Sequence, residues 1–263
     1  MDTEAVLRLM QEVAAEVIDP RFRSLAEGEI DEKGPGDLVT AADREAEVLI
    51  TRALRAAYPD AVILGEETYA EERGLMGAFL AADHAFTVDP VDGTKNFVHG
   101  SPDHAVMVGE VKGGESVRGW IWQPQHRTAY VAELGGGAWR NGVRLTRPAP
   151  PQRASWRGVT SRRKWIGRSL GDGLPPLELT WVSCGIDYPH LAEGDADYVV
   201  YGKANPWDHV PGGLILTEAG GFLGTLDGGP YRPMDDHDDH GAAPRGIVAA
   251  ADRETFEAIL ELL

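Results

Sequence analysis

Asp89-Pro90-Val91-Asp92-Gly93-Thr94 places two carboxylates three residues apart around a rigid turn and follows them with a Gly-Thr step. Proline fixes its own φ and drives the residue before it toward extended backbone, so the run predicts a strand ending at Asp89. The chain then reverses, which lets Asp89 and Asp92 converge with the Val91 carbonyl between them. Gly93 and Thr94 open a helix, whose first N–H groups lack intrahelical acceptors and can meet a phosphate. By itself the run also reads as a strand-to-helix turn with acidic capping residues, which needs no ligand.

Two further acidic signatures shift that balance. Val62-Ile63-Leu64 reads as a short buried strand that delivers Glu66 and Glu67, in Gly65-Glu66-Glu67, to its C-terminal end. Ala85–Val88 delivers Asp89 in the same way. Trp207-Asp208, followed by Gly212-Gly213-Leu214 and Glu218-Ala219-Gly220-Gly221, reads as a helix from Asp208 to Glu218 closed by glycine. Hard cations such as Mg²⁺ take oxygen ligands and keep several waters, so a few carboxylates suffice to hold them. Two such ions can generate a nucleophile from water and offset charge on a phosphoryl group.

The bulk properties narrow the partners. With 263 residues the chain can bury a substantial core, and its net charge of −17 disfavours nucleic acid or an anionic membrane as the main partner. The one cysteine, Cys184, excludes an intramolecular disulfide framework, suits a reducing cytoplasm and is expected to pack in the core. The start, Met1-Asp2-Thr3-Glu4, is acidic where a signal peptide is basic, and no apolar run is long enough to span a bilayer. The expectation is a cytoplasmic protein.

Apolar residues at helical spacing predict an amphipathic helix over 4–18, and a second helix runs from Thr40, as N-cap, to Tyr58. Val106–Val111, Val117–Trp122 and Thr128–Ala132 alternate as an antiparallel meander, with turns at Gly135-Gly136-Gly137 and Asn141-Gly142 beyond it. Pro148-Ala149-Pro150-Pro151 is the best linker, so we expect an N-terminal α+β domain over 1–150 and a C-terminal α/β domain with a mixed sheet over 151–263. In the second half Val159, Leu179–Val182 and Tyr198–Tyr201 read as strands, and a last helix runs from Arg253 to Leu262. Asp235-Asp236-His237-Asp238-Asp239-His240 reads as a solvated loop, with an adventitious metal site as the alternative.

Asp37-Leu38-Val39-Thr40-Ala41-Ala42-Asp43, Gly65-Glu66-Glu67, the 89–94 run, Gly137–Gly142 and Trp207-Asp208 through Gly221 together resemble the signature set of the inositol monophosphatase family. That is the Mg²⁺-dependent, lithium-sensitive phosphatase superfamily, and the resemblance covers nearly the whole chain. It implies an α+β fold, a layered αβαβα sandwich of the sugar-phosphatase type, and two or three Mg²⁺ per active site. Glu66, Asp89 and the Val91 carbonyl would hold the first ion, and Asp89, Asp92 and Asp208 the second. Thr94 with Asp43 would form the dyad that activates water, supported by Glu67, and the N–H groups of Gly93 and Thr94 would bind phosphate. The resemblance also implies a homodimer and a small phosphorylated metabolite as substrate.

The default substrate is inositol 1-phosphate, with histidinol phosphate, fructose 1,6-bisphosphate or a 3′-phosphonucleotide as alternatives. A regulatory protein that binds metal and phosphate without turnover is the reading from another class. Seven residues before Asp208, where inositol-specific members carry a glutamate for sugar hydroxyls, this chain has Tyr201. Asp92, Ser161, Arg162 and Tyr201 are therefore the candidate substrate contacts. Arg157, Arg162, Arg163, Lys164 and Arg168 form a basic cluster, read either as a solvated helix or as a grip on a second anionic group.

Overall fold

Val106 and Val108 turn to one face of their strand and Ala105 and Met107 to the other, and all four are buried. A strand covered on both faces must lie between two other layers. The computed structural model describes residues 1–34, 36–171, 173–234 and 246–263. The run 235–240, read from sequence as a solvated loop, lies outside them.

The chain begins with α1 (Thr3–Val13), prolonged by a π-helical turn over Ala14–Ile18, then a hairpin of β1 (Ile30–Gly34) and β2 (Asp37–Thr40). Helix α2 (Ala41–Ala57) starts at a capping box in which Thr40 and Asp43 satisfy each other's backbone N–H groups. Strand β3 (Val62–Gly65) leads into α3 (Glu66–Glu71) and α4 (Leu75–Leu80), and β4 (His84–Asp92) into α5 (Thr94–Val98). The expected meander follows as β5 (Ala105–Lys112), β6 (Glu115–Gln123) and β7 (Thr128–Glu133), extended by β8 (Gly137–Arg140) and β9 (Val143–Leu145). Strands β3 to β9 form a seven-stranded sheet in sequence order, parallel only between β3 and β4.

Residues 146–157 carry the chain to a second sheet. Arg147, almost wholly buried, anchors this passage through Asp197 at 3.2 Å and the carbonyls of Leu191 and Ala196, both at 2.9 Å. The second sheet comprises β10 (Gly158–Thr160), β11 (Glu178–Leu179), β12 (Tyr198–Val200), β13 (Phe222–Thr225) and β14 (Ile247–Ala250), in the order β11-β10-β12-β14-β13. Between its strands run α6 (Cys184–Glu193) and α7 (Pro206–Glu218), and α8 (Arg253–Leu260) closes the described chain. Helices α1 and α2 cover the outer face of the large sheet, α6 and α7 lie between the sheets, and α8 covers the far face of the second. This is the layered αβαβα order.

Two local expectations are overturned. The strand over Leu179–Val182 stops at Leu179, because Val182 turns to a φ of 63° on the way into α6. The basic cluster is no helix: Arg163–Trp165 make a single 3-10 turn, and the guanidinium groups of Arg162 and Arg168 lie over the Trp165 ring at 4.8 and 5.6 Å. Contact with a half-buried indole and pairing of Arg157 with Glu178 at 2.8 Å replace helical periodicity there.

Helix α7 sits unusually close to the large sheet, because glycines face it. A Cβ on Gly109 would lie 2.4 Å from Val210, and one on Gly119 would lie 2.7 Å from the Pro211 carbonyl oxygen. This close approach fixes the start of α7, where Asp208 sits. Gly119→Ala forces backbone rather than a flexible side chain to move, so it should lower stability by about 1–3 kcal/mol. The midpoint of urea unfolding reads this, and an unchanged midpoint would mean that α7 shifts freely on the sheet.

Candidate active site

Residues three apart on a regular strand point to opposite faces, so Asp89 and Asp92 need an irregularity to meet. Strand β4 supplies one: Asp89 pairs with Met107 and Asp92 with Ala105, leaving an extra residue on β4. Pro90 in the bulge has no N–H to give to the ladder. Oxygens of Asp89 and Asp92 thereby come within 4.8 Å of each other and of a carboxylate oxygen of Asp208, in the first turn of α7. Pro206 at the first helical position and Asn205 before it start that turn, and the Asn205 amide donates to Asp208 at 3.0 Å.

The fourth carboxylate, Glu66, opens α3. Beneath it the buried Glu47 of α2 accepts the N–H groups of Glu67 at 2.7 Å and Thr68 at 2.8 Å, capping α3 from another helix. A side chain on Gly65 would collide with Glu47, whose carboxyl carbon would be 2.3 Å away. That close approach accounts for the glycine in Gly65-Glu66-Glu67. From the β1–β2 hairpin, the Lys33 ammonium donates to Glu66 at 2.7 Å and to Glu67 at 2.8 Å.

Asp92 is held by the Gly185 N–H at 2.7 Å and by a short hydrogen bond from the Ser183 hydroxyl. At Asp89, by contrast, the buried Oδ1 has no hydrogen-bond partner among the described residues. An acceptor-only carboxylate oxygen in that position is costly unless a cation meets it. Burial first, then the charges of Glu66, Asp92 and Asp208, pushes Asp89 far above the usual carboxylate range. Asp208 is raised by burial and by Asp92 and Glu66. Burial raises Asp92 to about 6 against the hydrogen bonds that favour its charge, and Glu67 to about 8, with Glu66 adding repulsion and Lys33 opposing it. Although burial disfavours its charge, Lys33 is pushed up by the same two glutamates.

On the other side of the bulge, Thr94 lies 3.1 Å from Asp43 and 3.1 Å from the Val91 carbonyl, with one hydroxyl proton for two acceptors. The other oxygen of Asp43 takes the Thr40 N–H at 2.9 Å. Burial lifts Asp43 to about 6, and the Thr40 hydrogen bonds hold it from going further.

These groups surround one cavity of about 820 Å³, lined by Glu66, Asp89, Val91, Asp92, Gly93, Thr94 and Asp208 among others. Asp43 and Glu67 lie buried just behind that wall. The three other candidate substrate contacts do not line it. Tyr201 is 3 % exposed, stacked on Tyr188 at 5.6 Å and edge-on to His209 at 4.8 Å, so as a substrate contact it is corrected to a core residue. Ser161 accepts the Gly202 N–H at 3.0 Å, and Arg162 reaches the Tyr201 carbonyl and the Trp165 ring. Cys184 begins α6 beside Asp208 and His209 and, partly buried, packs against the core between the sheets, as expected. Both His209 ring nitrogens are engaged, Nδ1 by the Tyr188 hydroxyl and Nε2 by the Lys203 carbonyl, so no cysteine–histidine metal site forms there.

Sequence reading passed over Lys33, Glu47, Ser183 and Asn205. Glu47 had one usable signal, a carboxylate on the apolar face of an amphipathic helix. Lys33 and Ser183 act on carboxylates distant in sequence, and Asn205 precedes α7, with no periodicity to reveal any of them.

The model of the inositol monophosphatase family matches residues 2–263. An inositol-1-monophosphatase of Mesorhizobium japonicum is 32 % identical over 253 residues, covering 87 % of this chain and 88 % of the relative. A Nus factor SuhB of Pseudomonas aeruginosa is 30 % identical over 270 residues, covering 94 % and 90 %. Among solved structures, an IMPase of Thermotoga maritima superposes with a TM-score of 0.77 at 26 % identity, covering 98 % of this chain and 96 % of that one. No helix among the described residues is long and apolar enough to cross a membrane.

The raised carboxylates fix a pH dependence for the metal-free protein. A carboxyl with a higher pKa folded than unfolded binds protons more tightly in the native state. Its contribution to stability is complete below the unfolded pKa and is lost as pH rises through the folded one. Unfolded carboxylates titrate near 4, whereas Asp43 and Asp92 titrate at about 6 and Glu67 at about 8. With a chelator present, Tm should fall as pH rises through that window, Asp89→Asn should flatten the slope, and Mg²⁺ should raise Tm most at the upper end. Thermal scans that rise toward neutral pH in chelator would contradict this.

Proposed function

The chain belongs to the inositol monophosphatase family, and on that premise we propose that it hydrolyses the phosphate monoester of a small metabolite with Mg²⁺ at the acidic cluster. The observation that carries the reading is the meeting of Asp89, Asp92 and Asp208 with a buried, unpartnered oxygen on Asp89. A donor set of carboxylate oxygens and a backbone carbonyl suits a hard divalent cation. Glu66, Asp89 and the Val91 carbonyl would hold one ion, and Asp89, Asp92 and Asp208 a second. Bound there, divalent cations would offset the carboxylate charge, polarise the phosphoryl group and make water a better nucleophile.

The chain's own groups do the rest. Thr94 donates its proton to Asp43, which leaves the Thr94 oxygen free to accept one from a water at the cavity wall. Asp43, raised to about 6, is matched to taking up that proton near neutral pH. The N–H groups of Gly93 and Thr94 orient the phosphate, and Glu67, beside Glu66, backs the same wall. A non-catalytic role, in line with the name of the Pseudomonas relative, draws less support because the carboxylates and the Thr94–Asp43 pair are all present.

Inositol 1-phosphate is the reference substrate, and histidinol phosphate, fructose 1,6-bisphosphate and a 3′-phosphonucleotide complete the panel. The burial of Tyr201 leaves no carboxylate at its position for inositol hydroxyls. Phosphate release across this panel, with and without Mg²⁺, tests the reading, and no release from any ester would overturn it. Li⁺ should inhibit by competing at the second site. Thr94→Ala and Asp43→Asn should each lower kcat by about 10²- to 10⁴-fold with the fold intact by circular dichroism. Near-normal kcat in both would remove the dyad from the mechanism.

A further inference from the structure

The cavity that gathers the carboxylates also gathers cations: Lys33, Arg73, Lys95 and Lys203 all line it. Among the described residues only Lys33 of these forms an ion pair, between Glu66 and Glu67. Arg73 and Lys203 are exposed, and among the described residues neither makes an ion pair, in a chain with 42 acidic residues against 25 basic ones. Glu71 and Glu72 stand beside Arg73 in sequence yet do not capture it.

Arg73 is nevertheless held in place. Its guanidinium lies over the Tyr69 ring at 4.5 Å, and Tyr69 packs on Trp207 at 5.3 Å, the residue before Asp208. Contact with the ring leaves the exposed guanidinium N–H groups unspent on any ion pair among the described residues, and arginine can meet a carboxylate or phosphate through two parallel hydrogen bonds. Lys203, close enough to Asp208 for its charge to act on that carboxyl, borders the same side of the cavity. The carboxylates and Gly93-Thr94 already account for the reacting phosphate. A cation pair on the Asp208 side therefore has no role in that step and faces whatever the phosphate is attached to.

We propose that Arg73, stacked on Tyr69, and Lys203 form a subsite for a second anionic group, so that the substrates are phosphomonoesters whose leaving group itself carries a phosphate or a carboxylate. This rests on the phosphatase reading above and narrows it. It also relocates the grip on a second anion, which the sequence suggested for the Arg157–Arg168 cluster, because Arg157 is paired with Glu178 and Arg162 and Arg168 lie on Trp165 away from the cavity.

The test compares esters in matched pairs with Mg²⁺ present. Fructose 1-phosphate is set against fructose 1,6-bisphosphate, and glycerol 3-phosphate against 3-phosphoglycerate. A charge-assisted contact at the subsite predicts kcat/KM higher by about tenfold or more for the doubly anionic member, mainly through KM. Arg73→Ala and Lys203→Ala should each shrink that ratio, the double variant should bring it near one, and Arg73→Lys should recover part of it. Preference in both pairs assigns the site to any anion, and preference in the fructose pair alone assigns it to phosphate. If both members of each pair are hydrolysed at ratios that Arg73→Ala and Lys203→Ala leave unmoved, the subsite is overturned and the phosphatase reading stands. If no member is hydrolysed, the reading beneath it falls as well.

Discussion

Three carboxylates, those of Asp89, Asp92 and Asp208, meet with oxygens inside 4.8 Å of one another, and Glu66 adds its field to theirs. Like charges so close and so buried repel strongly, because the interior screens them far less than water does. The surrounding fold can be understood as what keeps them there. The β4 bulge turns Asp89 and Asp92 the same way, the glycines of β5 and β6 let α7 approach, and Glu47 pins the start of α3. Each of these is rigid backbone or a buried hydrogen bond, which is what holding a repulsive cluster requires.

Partial compensation is visible around the rim of the cluster. Ser183 and Gly185 support Asp92, Asn205 supports Asp208, and Lys33 bridges Glu66 and Glu67. At Asp89, in the centre, the buried Oδ1 has no hydrogen-bond partner among the described residues. A site built mainly to be stable would have neutralised its central group first. Support at the edge and an unmet oxygen at the centre is the pattern expected where a cation completes the set.

Much of this was legible in the sequence, for a physical reason. Asp89 to Thr94, Gly65 to Glu67 and Trp207-Asp208 are short runs whose chemistry is local: a proline that stops a ladder, a glycine that makes room, an acid in a first helical turn. The alternation that gave the meander was equally local. What escaped depended on contacts across the fold. Tyr201 ends a strand and could face either way, and only the packing of Tyr188 and His209 settles that it faces inward. The basic residues of 157–168 gave a charge pattern but no sign that Arg162 and Arg168 lie on the Trp165 ring. Lys33 lies on the first hairpin and Ser183 just before α6, and nothing within a few residues of either points to the carboxylate it reaches.

The central claim is that divalent cations complete the cluster, with Asp89 shared between them. Crystals grown with Mn²⁺ and inorganic phosphate, measured at a wavelength where manganese scatters anomalously, test it most directly. The account predicts at least two anomalous peaks, both contacted by Asp89, one also by Glu66 and the other by Asp92 and Asp208, with phosphate against Gly93 and Thr94. Peaks absent from this cluster, or a single ion that leaves Asp89 uncoordinated, would contradict it.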